Sequence, residues 1–143
     1  MEPLRQYLQA MGIPAEHPLI EAWMPYFEAQ HLARGEPWQV EGRRCQHLAF
    51  LQKGMLSHYH YADGKERTRW VSMAPSFVTS LGSFIHQTPC LENIKALVPC
   101  ALYRCGRSEF YVLKAQYPLL QQLWTDHLEM EVAGYEQRVS QLI

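Results

Sequence analysis

The apolar positions of this chain change their period twice, and the changes divide it into three parts. Glu2 to Met11 reads as a short amphipathic helix that Gly12 and Pro14 end. Pro18 suits the first turn of a second helix, on which Leu19, Ile20, Trp23, Phe27 and Tyr26 recur at helical spacing. Pro25 lies inside that segment and should bend it. From His31 the pattern shortens. Gly35, Pro37, Gly42, Gly54, Gly64 and Pro75 punctuate runs that read as strands: Trp38–Val40, Gln46–Gln52, Met55–Tyr61, Thr68–Ser72 and Phe77–Thr79. Asp63-Gly64 between alternating segments predicts a tight hairpin. Glu92–Val98 and Ala101–Cys105 add two strands, parted by Pro99. The helical period then returns. Ser108 reads as the N-cap of a helix through Tyr117, and Pro118 opens a long helix to the C-terminus. On that helix Leu128, Val132, Tyr135, Val139 and Leu142 alternate by four and three, a heptad seam suited to homodimerisation or to packing on the chain's own barrel.

Short strands at regular spacing with turn residues between them predict a sandwich, barrel or jelly roll. The expected fold class is therefore mainly β with flanking α. One domain should span 1–143, with N-terminal helices over 1–30, a β-roll over 31–106 and the helical tail over 107–143. A length of 143 residues suits one core, and 48% hydrophobic against 19% charged residues excludes a disordered chain. Thirteen basic against fourteen acidic residues give a net charge of −1, without the basic excess of a stand-alone nucleic-acid binder. No apolar run is long enough for a bilayer, and MEPLRQYLQAMG lacks the layout of a secretory signal, so a cytoplasmic protein is expected. Cys45, Cys90, Cys100 and Cys105 match no zinc or iron–sulfur spacing and read as small buried thiols in a reducing compartment.

The segment Phe77 to Ala96, FVTSLGSFIHQTPCLENIKA, reads as a strand, a short helix around Gly82, a Thr88-Pro89 turn and a further strand. Upstream, Gly42, the Leu48–Leu51 strand, Lys53-Gly54 and Asp63-Gly64-Lys65-Glu66 precede it in order, and EFYVLKAQYPLLQQL follows. This ordered set resembles the cyclic-nucleotide-binding domain of Crp/Fnr-type bacterial regulators, closest to the short Bacteroidetes-like members. The resemblance implies a double-stranded β-helix, that is, a jelly-roll β-roll, with N-terminal helices and a long C-terminal dimerisation helix. It also implies ligand sensing and transcription regulation rather than catalysis. In the family the matching cassette is close to F-G-E-x-A-L, a gap, then P-R-x-A.

The frame of that cassette is present, but its two chemical residues are not. Ser80 falls at the position of the glutamate that holds the ribose hydroxyl, and Cys90 at that of the arginine that clamps the cyclic phosphate. A guanidinium supplies a fork of charge-assisted bonds; a thiol supplies one weak donor. Each lost charge-assisted bond is worth roughly 1.5–3 kcal/mol, so standard cyclic-AMP binding should be lost. The expected ligand pocket is framed by Thr79, Ser80, Leu81, Gly82 and Ser83 on one side and by Cys90, Leu91 and Glu92 on the other. Arg67, Arg69 and Lys95 are candidate replacement partners for an anion. The resemblance places Tyr135 and Glu136 where family members touch the purine. No cofactor is expected beyond an unidentified small-molecule effector. The family's winged helix-turn-helix has no counterpart after the long helix, so direct DNA binding by this chain is not expected.

Two other readings remain open. His58-Tyr59-His60, with Glu66 and His86 following, could form a cupin-like metal site, since residues two apart share one face of a strand. The bland counterpart is a pair of solvent-facing histidines. A plain interaction module with a side-chain-filled roll is the other. No G-x-x-x-x-G-K phosphate cradle occurs.

Overall fold

The computed structural model describes residues 1–141, with side chains through Gln137. Helix α1 covers Glu2–Ala10 and buries Leu4 and Leu8. In α2, Pro18–Trp23, the His17 ring caps the start by accepting from the Leu19 amide at 3.0 Å. Pro25 does more than bend this segment. The chain tightens into a 3-10 turn over Met24–Tyr26 and leaves as a strand, β1, Phe27–Leu32. Phe27, expected on the helix, thus opens the roll, which begins ahead of the expected residue 31. Trp23 and Phe27 do touch, with ring centroids 5.2 Å apart. Their four-residue spacing mimicked one helix face across what is a helix–strand junction.

The remaining strands are β2 (Pro37–Gln39), β3 (His47–Lys53), β4 (Met55–Ala62), β5 (Lys65–Met73), β6 (Ser76–Val78), β7 (Asn93–Ala96) and β8 (Cys100–Gly106), with α3 (Leu81–His86) between β6 and β7. They form two four-stranded sheets ordered β1-β8-β3-β6 and β2-β7-β4-β5. Consecutive strands β3 and β4 lie in different sheets, which is the jelly-roll plan that the sequence predicts. Asp63 and Gly64 join β4 to β5 with φ of 54° and 75°, the geometry of a two-residue hairpin. The tail is α4 (Arg107–Gln116) and α5 (Pro118–Gln141). Gly106, not Ser108, caps α4, because β8 runs without a break to the helix.

Two apolar cores hold these layers. Between the sheets, Leu32, Ala49, Leu51, Leu56, Ile94 and Leu102 are buried. The helices cover the outer face of the first sheet, where Trp23, Phe84, Phe110 and Trp124 of the helices and Phe50 of β3 are all buried. Aromatic contacts knit this second core: Trp23 stacks on Phe77 at 5.8 Å, and Phe110 meets Trp124 at 5.0 Å. No helix among the described residues is long and apolar enough to cross a membrane.

Candidate functional site

Strand alternation builds the site. Along β4, Leu56 is buried in the inter-sheet core, and His58, two residues on and facing the same way, continues inward at 1% exposure. There the core gives way to a cavity of about 720 Å³, within the usual range for a small-molecule pocket. Its walls come from β4 and β5, from the β6–α3 cassette, from the Thr88–Glu92 turn, and from α5.

The polar groups at its base form one hydrogen-bonded chain. His58 Nε2 lies 2.7 Å from Ser72 Oγ, and His58 Nδ1 lies 3.4 Å from Glu92 Oε1. Ser80 Oγ donates to the same Glu92 oxygen at 3.3 Å. An ionised carboxylate only accepts, so Nδ1 carries the hydrogen. In the neutral ring Nε2 then accepts from the Ser72 hydroxyl. The Trp70 ring meets His58 edge-on at 5.3 Å. Serine, histidine and carboxylate in this order are also the parts of an acyl-transfer relay. At 3.4 Å the histidine–carboxylate contact is longer than the usual 2.7–3.2 Å range for N–H···O bonds, and Ser80 shares the same oxygen.

The cassette is locked from behind. Ser83 Oγ accepts from the Cys45 amide at 2.8 Å and donates to the Thr88 carbonyl. Thr79 Oγ1 donates to the His47 carbonyl at 2.9 Å. Arg107 donates from Nε to the Phe84 carbonyl at 2.6 Å and from its terminal nitrogen to Ile85 at 3.0 Å, closing the end of α3. A Cβ placed on Gly82 would meet open space, so the backbone there faces the cavity bare.

The expected pocket residues are thus only partly together. Thr79 to Ser83, Leu91 and Glu92 border the cavity. Cys90 turns away: at 2% exposure it packs in the helix-side core with Cys45 and Phe84. Of the candidate anion partners, Arg69 alone borders the cavity among the described residues. It is the unpaired residue of a bulge, since His58 faces Trp70 while Tyr59 faces Thr68, and its Nε donates to His60 Nδ1 at 3.3 Å. Lys95 is committed elsewhere, to Glu66 at 2.6 Å and over the Tyr59 ring at 4.6 Å. The Glu66 bond holds the Lys95 ammonium above its ordinary range. Arg67 is exposed on β5.

The His58–His60 pair does not converge. His58 is buried rather than solvent-facing and engages Ser72 and Glu92, while His60 accepts from Arg69. Glu66 is taken by Lys95, and no group of three metal-ligating side chains gathers among the described residues. On α5, Leu128 packs against the chain's own core, whereas Val132 and Tyr135 are 61% and 63% exposed. The Val139 side chain and Leu142 lie outside the described residues. Tyr135 also borders the cavity, while Glu136 is exposed.

Sequence reasoning missed Ser72 of β5 and the α5 residues His127 and Glu131. A signal existed for the latter. His127, Glu131 and Tyr135 are spaced by four, so they share one helix face.

A family model described as "Cyclic nucleotide-binding domain" matches residues 29–117. No curated protein matches the sequence. Among solved structures the chain is similar to the catabolite activator protein of Thermus thermophilus, with a TM-score of 0.77 and 17% identity over 92% of this chain and 61% of that one. A cyclic nucleotide-binding domain from Methylobacillus flagellatus gives 0.74 and 16% over 87% and 70%. The sensor domain of the transcriptional regulator DNR from Pseudomonas aeruginosa gives 0.73 and 16% over 89% and 91%. At such identities the likeness shows the fold alone. The chain spans about three fifths of the catabolite activator protein's length.

Proposed function

Because the chain belongs to the cyclic nucleotide-binding domain family, we propose that it is a ligand-sensing regulatory domain that does not hold a cyclic nucleotide by the family's usual clamp. One observation carries this reading. The cavity base presents the Glu92 carboxylate, braced by His58 and Ser80, and the side chain at the expected arginine position, Cys90, is buried in the opposite core. A cyclic phosphate brought against that base would meet a negative charge with no guanidinium on the cassette to offset it.

The route from cavity to partner runs through α5, whose His127, Glu131 and Tyr135 roof the site while Val132 and Tyr135 stand exposed. A ligand that moves this helix would change what it presents, and the partner we propose for it is a second copy of the chain. A net charge of −1 supports regulation through protein contacts rather than direct DNA binding. Four unpaired, buried thiols suit a reducing compartment such as the cytoplasm. The test is mass spectrometry of small molecules released when the purified protein is denatured, followed by addition of the candidate to ligand-free protein. A molecule that raises the melting temperature, with the shift abolished by Ser72→Phe, supports a ligand-sensing cavity. A ligand-induced shift that survives Ser72→Phe places its site elsewhere and refutes it.

A further inference from the structure

The Glu92 carboxylate is placed as an acceptor for an incoming group. Its Oε1 takes both protein bonds, from His58 Nδ1 and Ser80 Oγ, and among the described residues none bonds Oε2. The side chain is only 17% exposed, and the opening it has is the cavity. His58, buried behind it, and Ser80, the N-cap residue of α3, both engage Oε1. Ser80 gives its hydroxyl to Glu92 and makes no side-chain cap on the helix. A carboxylate fixed in this way, partly withdrawn from water and with one oxygen unpaired, favours a donor that carries positive charge.

The rim has the opposite character. Leu91, 77% exposed, and Leu81, half-buried at the start of α3, border the cavity. Leu91 stands beside Glu92 in sequence, so charged base and apolar rim adjoin. Glu131 adds a second carboxylate from the α5 side. Arg69, at the β5 edge, is the opposing charge.

Building on the ligand-sensing reading of this same cavity, we propose that it takes an organic cation: an aliphatic amine whose ammonium bonds Glu92 Oε2 and whose hydrocarbon chain lies along Leu81 and Leu91. The ammonium contributes three donors and a charge complementary to the base. The chain withdraws the exposed apolar rim from water. Arg69 opposes the cation, so it limits affinity and excludes ligands with a positive charge at the β5 end.

The test uses three six-carbon probes on the full chain by calorimetry: n-hexylammonium, n-hexanoate and 1-hexanol. Hexylammonium should bind more tightly than either of the others. Glu92→Gln, which keeps the shape and removes the charge, should weaken it about ten- to a hundredfold, the scale of one charge-assisted bond. Arg69→Gln should strengthen it, an effect that general loosening of the fold would not produce. Hexanoate or hexanol binding at least as tightly as the amine would overturn the cation assignment and leave the ligand-sensing reading standing. Amine affinity unchanged in Glu92→Gln would do the same. Failure of all three probes to bind, with no retained small molecule found, would overturn both.

Discussion

The hydrogen-bonded base of the cavity makes a quantitative claim about Glu92 and His58. Glu92→Ala removes the acceptor of two donors at once. His58 is 1% exposed, so its Nδ1–H loses its partner where water reaches only from the cavity side. A bond to a charged acceptor is worth roughly 1.5–3 kcal/mol at good geometry. The two contacts here, at 3.4 and 3.3 Å, lie at the long end. Cavity water can replace part of the loss, so the expected cost is about 1–2 kcal/mol. His58→Ala costs more, because it also empties buried volume and removes the edge contact with Trp70. The informative quantity is their coupling. Once His58 is gone, deleting Glu92 leaves only Ser80 to satisfy, and Ser80 can turn to cavity water. The double variant should therefore be about 1 kcal/mol more stable than the sum of the single losses predicts. Urea unfolding of the four proteins measures this. Additivity within about 0.3 kcal/mol, together with a Glu92→Ala cost near zero, would refute a braced carboxylate.

Three further outcomes are expected. Burial raises the thiols of Cys45 and Cys100 and pushes Cys105 up to about 11, so the native protein at pH 8 should resist iodoacetamide while the urea-unfolded chain takes up four equivalents; fast labelling of any native thiol contradicts the packing. Burial, aided by Arg104, holds the His47 imidazole below its usual range, so its share of stability is present above about pH 6.5 and is lost as pH falls through the folded value. His47→Gln should flatten the fall in urea midpoint between pH 7.5 and pH 5, and an unaltered slope refutes the assignment. Val132→Glu combined with Tyr135→Glu should yield a monomer by light scattering, and a persisting dimer rejects α5 as the contact.

Much of the architecture was legible because glycine and proline act locally. Asp63-Gly64 forms its hairpin, and Pro118 begins α5 where its missing N–H costs nothing. What stayed hidden depends on pairings that local periods do not encode. β1 was masked because Trp23 and Phe27 sit at helical spacing although the chain changes state between them. The bulge at Arg69 breaks the two-residue alternation of β5, so the faces of Trp70 and Ser72 could not be read from Lys65 onward. The cassette order places Cys90 among the pocket residues, but its direction depends on the bridge between Arg44 and Pro89 and on the bonds between Cys90 and the Gly42–Arg43 backbone. The burial of His58 follows from the pairing of β4 with both β5 and β7, which places it in the middle of a sheet. From sequence alone that residue reads equally well as a surface histidine.

The most direct test is a calorimetric titration of cyclic AMP into the full chain. With Glu92 at the cavity base and no cassette guanidinium, no saturable heat is predicted up to about 1 mM cyclic AMP, corresponding to binding weaker than roughly 4 kcal/mol. A submicromolar dissociation constant at unit stoichiometry would contradict the account.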